Sequence, residues 1–241
     1  MTTAGALLDI DGVTKRFGGF LALDRVSIQV RPGERLGLIG PNGSGKTTLI
    51  NCVSGALPTD GGRILFEGRD ITQLPAHQRT RLGIVRSFQI PKPFTSMTVL
   101  ENLGIPLEYA AHSRSGEAAA GALDILRMIG LETKAHLRPA GLTQIEMRKL
   151  ELARAMAARP KLLISDEAMA GLSSAEVDDI LTILFRLNEQ GITIIMIEHI
   201  MRAVMRFSER IVVLDAGNRI AEGTPAEIVR NPAVEKAYLG E

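Results

Sequence analysis

The sequence predicts an α/β fold. Parallel strands joined by crossover helices carry a phosphate-binding loop, antiparallel strands lie near the N-terminus, and a helical segment is inserted into the framework. Three observations support this. Gly40-Pro41-Asn42-Gly43-Ser44-Gly45-Lys46-Thr47 fits the pattern G-x-x-x-x-G-K-[ST] at every fixed position. Strand-like and helix-like segments alternate regularly from Lys161 onward. The composition shifts at Pro91-Lys92-Pro93 into a stretch that reads as helix.

Composition bounds the rest. A chain of 241 residues, 45% hydrophobic and 23% charged, is long enough for one large domain or for a domain with a substantial insertion. Its net charge of +1 provides no global field toward nucleic acid or an anionic membrane. The N-terminal residues Met1 to Gly5 lack a basic region and a long apolar run. The most apolar segment, Ile192 to Ile197, stops at Glu198, short of a membrane span, so a cytoplasmic chain is expected. The one cysteine, Cys52, reads as a small buried residue in the helix after the loop; no disulfide or cysteine metal site is available.

In order along the chain, Leu7 to Ile10 and Val26 to Val30 read as antiparallel strands separated by Phe17-Gly18-Gly19. Phe17, ahead of two glycines, can stack on a base or pack locally. Arg35 to Ile39 is a short apolar strand, and Thr47 to Val53 a helix whose positive end adds to the anion site. Gly61 to Gly68 is a strand entering a turn, and Pro75 to Arg81 a helix with proline in its first turn. The strand Ile84 to Phe88 ends at Gln89. Thr98 to Ala111 and Glu117 to Ile129 read as helices, and the segment from about 90 to 160 as a helical insertion. Thr143 and Glu146 form a capping-box pattern, opening a helix with Leu150, Ala153 and Ala157 on one face. Lys161 to Ser165 is a buried-strand run ending on Asp166-Glu167. A helix from Ala175 to Gln190, a strand Ile192 to Ile197, a helix Ile200 to Phe207 and a strand Arg210 to Leu214 follow; two short helices begin near Pro225 and Pro232.

The chemistry concentrates at strand ends. The loop glycines let successive backbone N–H groups turn inward around an anion; Lys46 can reach the outer phosphates, and the hydroxyl of Thr47, followed by Thr48, is placed to ligate Mg²⁺. An apolar strand ending in two carboxylates complements such a loop: Asp166 is assigned to the metal and Glu167 to the base that orients or deprotonates an attacking water. His199 follows another apolar strand, where it can touch a terminal phosphate or serve as a packing or surface residue. Gln89, also at a strand end, could ligate Mg²⁺ or the nucleophilic water.

Taken together, Phe17, Gly40 to Thr47, Gln89, Leu142 to Glu146, Asp166 with Glu167, and His199 resemble, in order and spacing, the ATP-binding-cassette ATPases. The resemblance covers nearly the whole chain. It implies a P-loop NTPase (RecA-like) core with its antiparallel β subdomain over 1–89 and 161–241, and a helical subdomain over 90–160, all within one nucleotide-binding domain, 1–241. It implies ATP and Mg²⁺ as cofactors, with Gly40, Pro41, Asn42, Gly43, Ser44, Gly45, Lys46, Thr47 and Thr48 around the nucleotide, and Thr47, Gln89 and Asp166 around the metal. It implies a second ATPase subunit, paired head to tail, whose ATP is completed by the signature Leu142, Thr143, Gln144, Ile145 and Glu146.

Within the family, Phe17-Gly18-Gly19, Arg86-Ser87-Phe88-Gln89, Ile197-Glu198-His199 and the ending Ala237-Tyr238-Leu239-Gly240-Glu241 are similar to the ATPase subunits of branched-chain amino-acid importers. A lipopolysaccharide-export ATPase is the nearest alternative transport role, and an ATP-binding clamp or regulatory module with little turnover the competing class. Importer membership implies integral membrane permeases, an external substrate-binding protein at one remove, and a peripheral place on the inner face of the cell membrane. The surface from Gln89 to Phe94 would receive a permease helix. Nucleic acid is not an expected partner. The chain departs from the family pattern Leu-Ser-Gly-Gly-Gln at Gln144 and Ile145, and has Ala168 in place of a usual proline and Ser173 in place of a frequent aspartate. These changes bear on the partner's site and on coupling between sites.

Overall fold

The chain opens with a hairpin, β1 (Leu8–Phe17) and β2 (Phe20–Val30), that turns at Gly18-Gly19. The computed structural model of the protein describes residues 5–87, 91–109 and 115–239. Alternate residues of the hairpin, among them Leu8, Ile10, Val13, Leu23, Val26, Ile28 and Val30, are buried, as expected of strands with one face on a core. The strand β3 (Arg35–Ile39) feeds the phosphate loop, and α1 (Lys46–Ser54) leaves it. Next come β4 (Gly61–Phe66), β5 (Arg69–Asp70), α2 (Ala76–Leu82) and β6 (Ile84–Ser87). Three longer helices follow: α3 (Val99–Tyr109), α4 (Ser115–Ile129) and α5 (Gln144–Ala157). The chain then alternates through β7 (Leu162–Asp166), α6 (Ser174–Glu189), β8 (Thr193–Ile197), α7 (Met201–Phe207) and β9 (Arg210–Asp215), and closes with β10 (Asn218–Gly223), α8 (Pro225–Val229) and α9 (Pro232–Leu239).

These strands form two sheets. A four-stranded antiparallel sheet has the order β2-β1-β4-β5. A six-stranded sheet has the order β10-β9-β3-β8-β7-β6, parallel throughout except for the β9–β10 edge hairpin. Every residue of β7 and β8 is buried, which is why both read as unbroken apolar runs instead of alternating patterns. Side chains of the six-stranded sheet divide between two cores by their period of two. Leu36, Leu38, Ile164, Ile195, Val212 and Leu214 pack with α1 and the antiparallel sheet, while Ile39, Leu163, Ile194, Met196 and Val213 face the core shared with α3 to α7.

The helix α1 is held at its far end by Arg79, which is 2% exposed. Its Nη1 donates to the carbonyls of Cys52 (2.6 Å) and Val53 (2.8 Å), its Nη2 to Thr72 (2.9 Å) and its Nε to Leu74 (2.8 Å). A cation on the last carbonyls of a helix complements the negative end of its dipole. Cys52 is buried in this helix, and burial pushes its thiol up to about 11, which leaves it unreactive.

Three features differ from the sequence expectation. The N-terminal strands are longer than the apolar segments that announced them, because register shifts between Ile10 and Arg16 let polar positions stay in the ladder. Gly61 to Phe66 joins the N-terminal hairpin, pairing Ile64 with Ile10, a non-local contact that no turn chemistry announces. The helix α4 begins at Ser115, ahead of the expected Glu117. Among the described residues no helix is long and apolar enough to cross a membrane.

Candidate functional site

Parallel register brings the sequence-selected residues to one edge. Gly37 pairs with Met196, Ser165 with Met196, and Ser87 with Ser165, so β3, β8, β7 and β6 end together with their carboxyl ends aligned. Open α/β sheets place ligand sites at that edge. The loop 40–47 leaves β3 there, Asp166 and Glu167 end β7, and His199 lies two residues beyond β8.

The loop requires its glycines. Gly40 has φ +151, and a Cβ there would lie 2.1 Å from the Leu214 carbonyl oxygen. Gly45, the residue capping α1, has φ +103, and a Cβ would lie 2.8 Å from the Ala22 carbonyl oxygen. Ser44, 1% exposed, accepts the Gly217 N–H at its carbonyl (3.0 Å), so the β9–β10 turn buttresses the loop. The start of α1 has no side-chain cap and no acidic residue in its first turn, whereas α5, α6 and α8 all have full capping boxes. An uncapped, positively polarised helix end preceded by open loop amides fits a phosphate.

Lys46, 7% exposed, donates to the carbonyls of Gly40 (2.7 Å) and Pro41 (3.0 Å) and approaches the Ser44 hydroxyl (3.4 Å). Burial pushes its ammonium below the ordinary lysine range, against the pull of the Glu167 and Asp166 carboxylates. Thr47 is exposed and Thr48 half-buried in the first turn of α1. Pro41 is half-buried, and Asn42 and Gly43 are exposed at the loop crest. Phe17 stands 48% exposed at the hairpin tip, with the Lys15 ammonium 5.7 Å from its ring centre. An exposed aromatic offers a face for stacking, and it is not in the local core.

The Arg86 guanidinium, a residue not singled out by its chemistry in the sequence, holds Asp166. Its Nη2 and Nε lie 2.5 Å and 3.1 Å from Asp166 Oδ2, and its Nη1 donates to Asn51 Oδ1 at 2.6 Å. Both side chains of that pair are nearly buried, at 12% and 11% exposure. The Thr47 hydroxyl and the Asp166 carboxylate are hard oxygen donors of the kind Mg²⁺ takes. Gln89, the third residue assigned to the metal, lies outside the described residues.

Glu167 has φ +48, uncommon for a residue with a Cβ. Its N–H donates to the Ile197 carbonyl (2.9 Å), and its Oε1 lies 3.1 Å from His199 Nε2. The base and histidine selected from the sequence are therefore paired. Next to His199 in the chain is a carboxyl group that the sequence reading left unassigned: Glu198 is 4% exposed, and its Oε1 accepts the Met169 N–H at 2.9 Å. Burial pushes its carboxyl up to about 7, helped by the Glu167 and Asp166 charges and opposed by the Met169 and His199 N–H groups. The available sequence signal was an acid at the end of a wholly apolar strand.

The segment 142–146 is shaped by its own helix. The Thr143 hydroxyl accepts the Glu146 N–H (3.4 Å), and Glu146 Oε2 accepts the Thr143 N–H (2.9 Å) while Oε1 pairs with Lys134 (2.7 Å). Leu142 and Ile145 pack against the helical core, and Gln144 is exposed. Arg148, one turn on, donates to the Ala170 carbonyl at 3.1 Å, joining α5 to the loop after Glu167. Ser173 caps α6, with Glu176 completing a capping box. Tyr238, in α9, comes close to the Gly40 backbone, a contact spanning the chain that local pattern does not reveal.

This arrangement can seat phosphates on the loop and hold a carboxylate and an imidazole opposite them. Comparison with known proteins agrees. Residues 23–170 match the ABC transporter family, and residues 218–241 match the branched-chain amino acid ATP-binding cassette transporter family. The high-affinity branched-chain amino acid transport ATP-binding protein BraF of Pseudomonas aeruginosa is 39% identical over 250 aligned residues, covering 98% of each chain. A probable branched-chain amino acid transport ATP-binding protein, LivG of Archaeoglobus fulgidus, is 41% identical, covering 97% of this chain and 95% of its own. Among solved structures, the ADP conformation of an ATP-binding cassette of an ABC transporter superposes with a TM-score of 0.89 at 36% identity, covering 98% of this chain and 99% of its own. A dimeric cassette bound to ADP and Pi superposes with a TM-score of 0.80 at 28% identity, covering 90% of this chain and 98% of its own. Likeness over the whole length, beyond what the loop motif alone carries, gives the assignment: the chain belongs to the ABC transporter family of ATP-hydrolysing cassettes, among the branched-chain amino-acid transport ATP-binding proteins.

Proposed function

We propose that the chain binds ATP with Mg²⁺, hydrolyses it, and thereby powers uptake of branched-chain or related small amino acids through partner permeases. The observation that carries this reading is the whole-length identity of about 40% to transport ATP-binding proteins of that class, together with the matching segment 218–241. Lys46 and the amides of Gly40 to Thr48 bind the phosphates, with Phe17 against the base. Thr47, Asp166 and Gln89 hold Mg²⁺, which supplies charge neutralisation at the phosphates when bound. Glu167 orients and deprotonates the attacking water, and His199, hydrogen-bonded to Glu167, fixes that carboxylate and touches the terminal phosphate. Asp166, held in place by Arg86, would offer its carboxylate to the metal.

The partner is a second cassette, to whose ATP Leu142 to Glu146 belong; in that arrangement 90–160 acts as a helical subdomain and 1–89 with 161–241 as the nucleotide-binding core. The permease occupies a cleft of about 470 Å³ between α2, β6, α3 and α5, lined by Ile105, Tyr109, Glu151 and Arg154. There Arg154 bonds the Lys92 carbonyl (2.9 Å) and lies 5.2 Å from the Phe94 ring centre. This binding places the chain on the inner face of the membrane. The test is to purify the chain with its membrane partners, reconstitute them in vesicles, and follow ATP-driven uptake of labelled leucine, isoleucine and valine. Uptake of these over basic or acidic amino acids supports the assignment; ATP hydrolysis stimulated only by an unrelated cargo refutes it.

A further inference from the structure

Beyond the residues that touch ATP, we propose that Glu198 is a positioning residue for hydrolysis, binding the segment after Glu167 to the segment that bears His199. The inference rests on the ATPase reading above and assigns a role to a group that reading does not use.

Glu167 sits at φ +48, where a side chain crowds the following carbonyl. Such a conformation persists only where neighbouring bonds over-determine it. On the N-terminal side the constraint is the Glu167 N–H to the Ile197 carbonyl, 2.9 Å. On the C-terminal side it is the Met169 N–H to Glu198 Oε1, 2.9 Å, in a buried setting. The two acceptors are the last residue of β8 and the residue after it, so two adjacent positions grip the chain on either side of Glu167.

Glu198 is also the residue immediately before His199, so its bond to Met169 ties the segment after Glu167 to the one that bears the histidine. Glu198 thus touches both peptide segments whose side chains meet at Glu167 Oε1 and His199 Nε2, 3.1 Å apart. Packing does not fix that distance alone: the His199 side chain is 53% exposed, so the position of its backbone decides where the ring can reach. An apolar residue at 198 would bury at lower cost in this surrounding of Ile197, Ala168 and Met169, since a carboxyl group must be stripped of water to lie there. What an apolar residue lacks is an acceptor for the Met169 N–H on the neighbouring loop. Without it Met169 keeps no buried partner, Glu167 relaxes from the left-handed region, and its carboxylate swings from the line set by His199.

The role differs from general structural support in what it predicts. The hydrogen bond of Glu198 goes to Met169 and not to the loop 40–47 that binds phosphate, so turnover should fall while nucleotide affinity stays. In the full-length protein, Glu198→Ala should lower kcat roughly tenfold or more, leaving KM and the Kd for ATP within about twofold. Hydrogen exchange at the Met169 amide should accelerate roughly tenfold. Glu198→Gln, which keeps an oxygen acceptor of the same shape, should restore both readouts to within about threefold of the unmodified protein. Glu198→Leu, which refills the apolar space without an acceptor, carries the same expectation as alanine should the alanine variant not fold. Unchanged kcat in the alanine or leucine variant, unchanged Met169 exchange, a parallel loss of ATP affinity, or a glutamine variant as impaired as alanine would each overturn the proposal. Because exchange needs no turnover, a chain that never hydrolyses ATP defeats the ATPase reading while the link between Glu198 and Met169 is still tested.

Discussion

Replacing Arg79 by methionine tests how far the phosphate end of α1 depends on the other end of the same helix. The guanidinium makes four hydrogen bonds to the carbonyls of Cys52, Val53, Thr72 and Leu74. Bonds to a charged donor contribute about 1.5–3 kcal/mol each, so about 6–12 kcal/mol of interaction is removed. At the low end of that range, and with about 2 kcal/mol returned by burying the methionine, the net loss is about 4 kcal/mol. With a urea slope of about 2 kcal/mol/M, the unfolding midpoint should fall by about 2 M, and ATP binding should weaken because α1 frays toward the loop it supports. A midpoint lowered by less than about 0.3 M would refute the reasoning, since the helix carbonyls would then be satisfied without Arg79.

Glu198 also governs a pH dependence. Its carboxyl is raised from 4.5 to about 7 in the folded protein, so the folded state binds the proton more tightly than the unfolded chain. The stability this group contributes is present below about pH 4.5 and lost as pH rises toward 7, about 3 kcal/mol in all. Urea unfolding of the protein minus that of Glu198→Gln should decline across this window; a flat difference would contradict the assigned environment. In Gly45→Ala, the Cβ would press on the Ala22 carbonyl oxygen at φ +103, and ATP affinity measured by titration calorimetry should fall at least roughly tenfold. Normal affinity would mean the loop can move away from β2. Arg86→Ala leaves Asp166 without its buried cation, and the free protein should lose about 3 kcal/mol to urea, part of which saturating Mg²⁺ and ATP restores. An equal loss with and without ligand would count against a metal role for Asp166.

Much of this was legible in the sequence because it is written locally. The loop 40–47 carries its mechanism in consecutive residues, and Asp166-Glu167 is marked by the unbroken apolar run of β7 ahead of it. Capping at Thr143 depends on spacing within one helical turn, which sequence displays directly. What was not legible depends on partners far along the chain. Arg86 reaches Asp166 across 80 positions, Arg79 reaches Cys52 across 27, and Tyr238 reaches Gly40 from the last helix. Glu198 looked like a mere strand end because its partner, a backbone N–H, leaves no mark in residue type. The pairing of β4 with β1 was hidden for the same reason: strand register is set by non-local packing.

The account turns on Glu167 as the group that activates water at a site where the loop, through Lys46, binds the nucleotide. Steady-state ATP hydrolysis of Glu167→Gln beside the unmodified protein, with ATP affinity measured on the same samples, tests it most directly. The account predicts unchanged affinity and turnover lowered by about 10² or more. Turnover within a few-fold of the unmodified protein would contradict it.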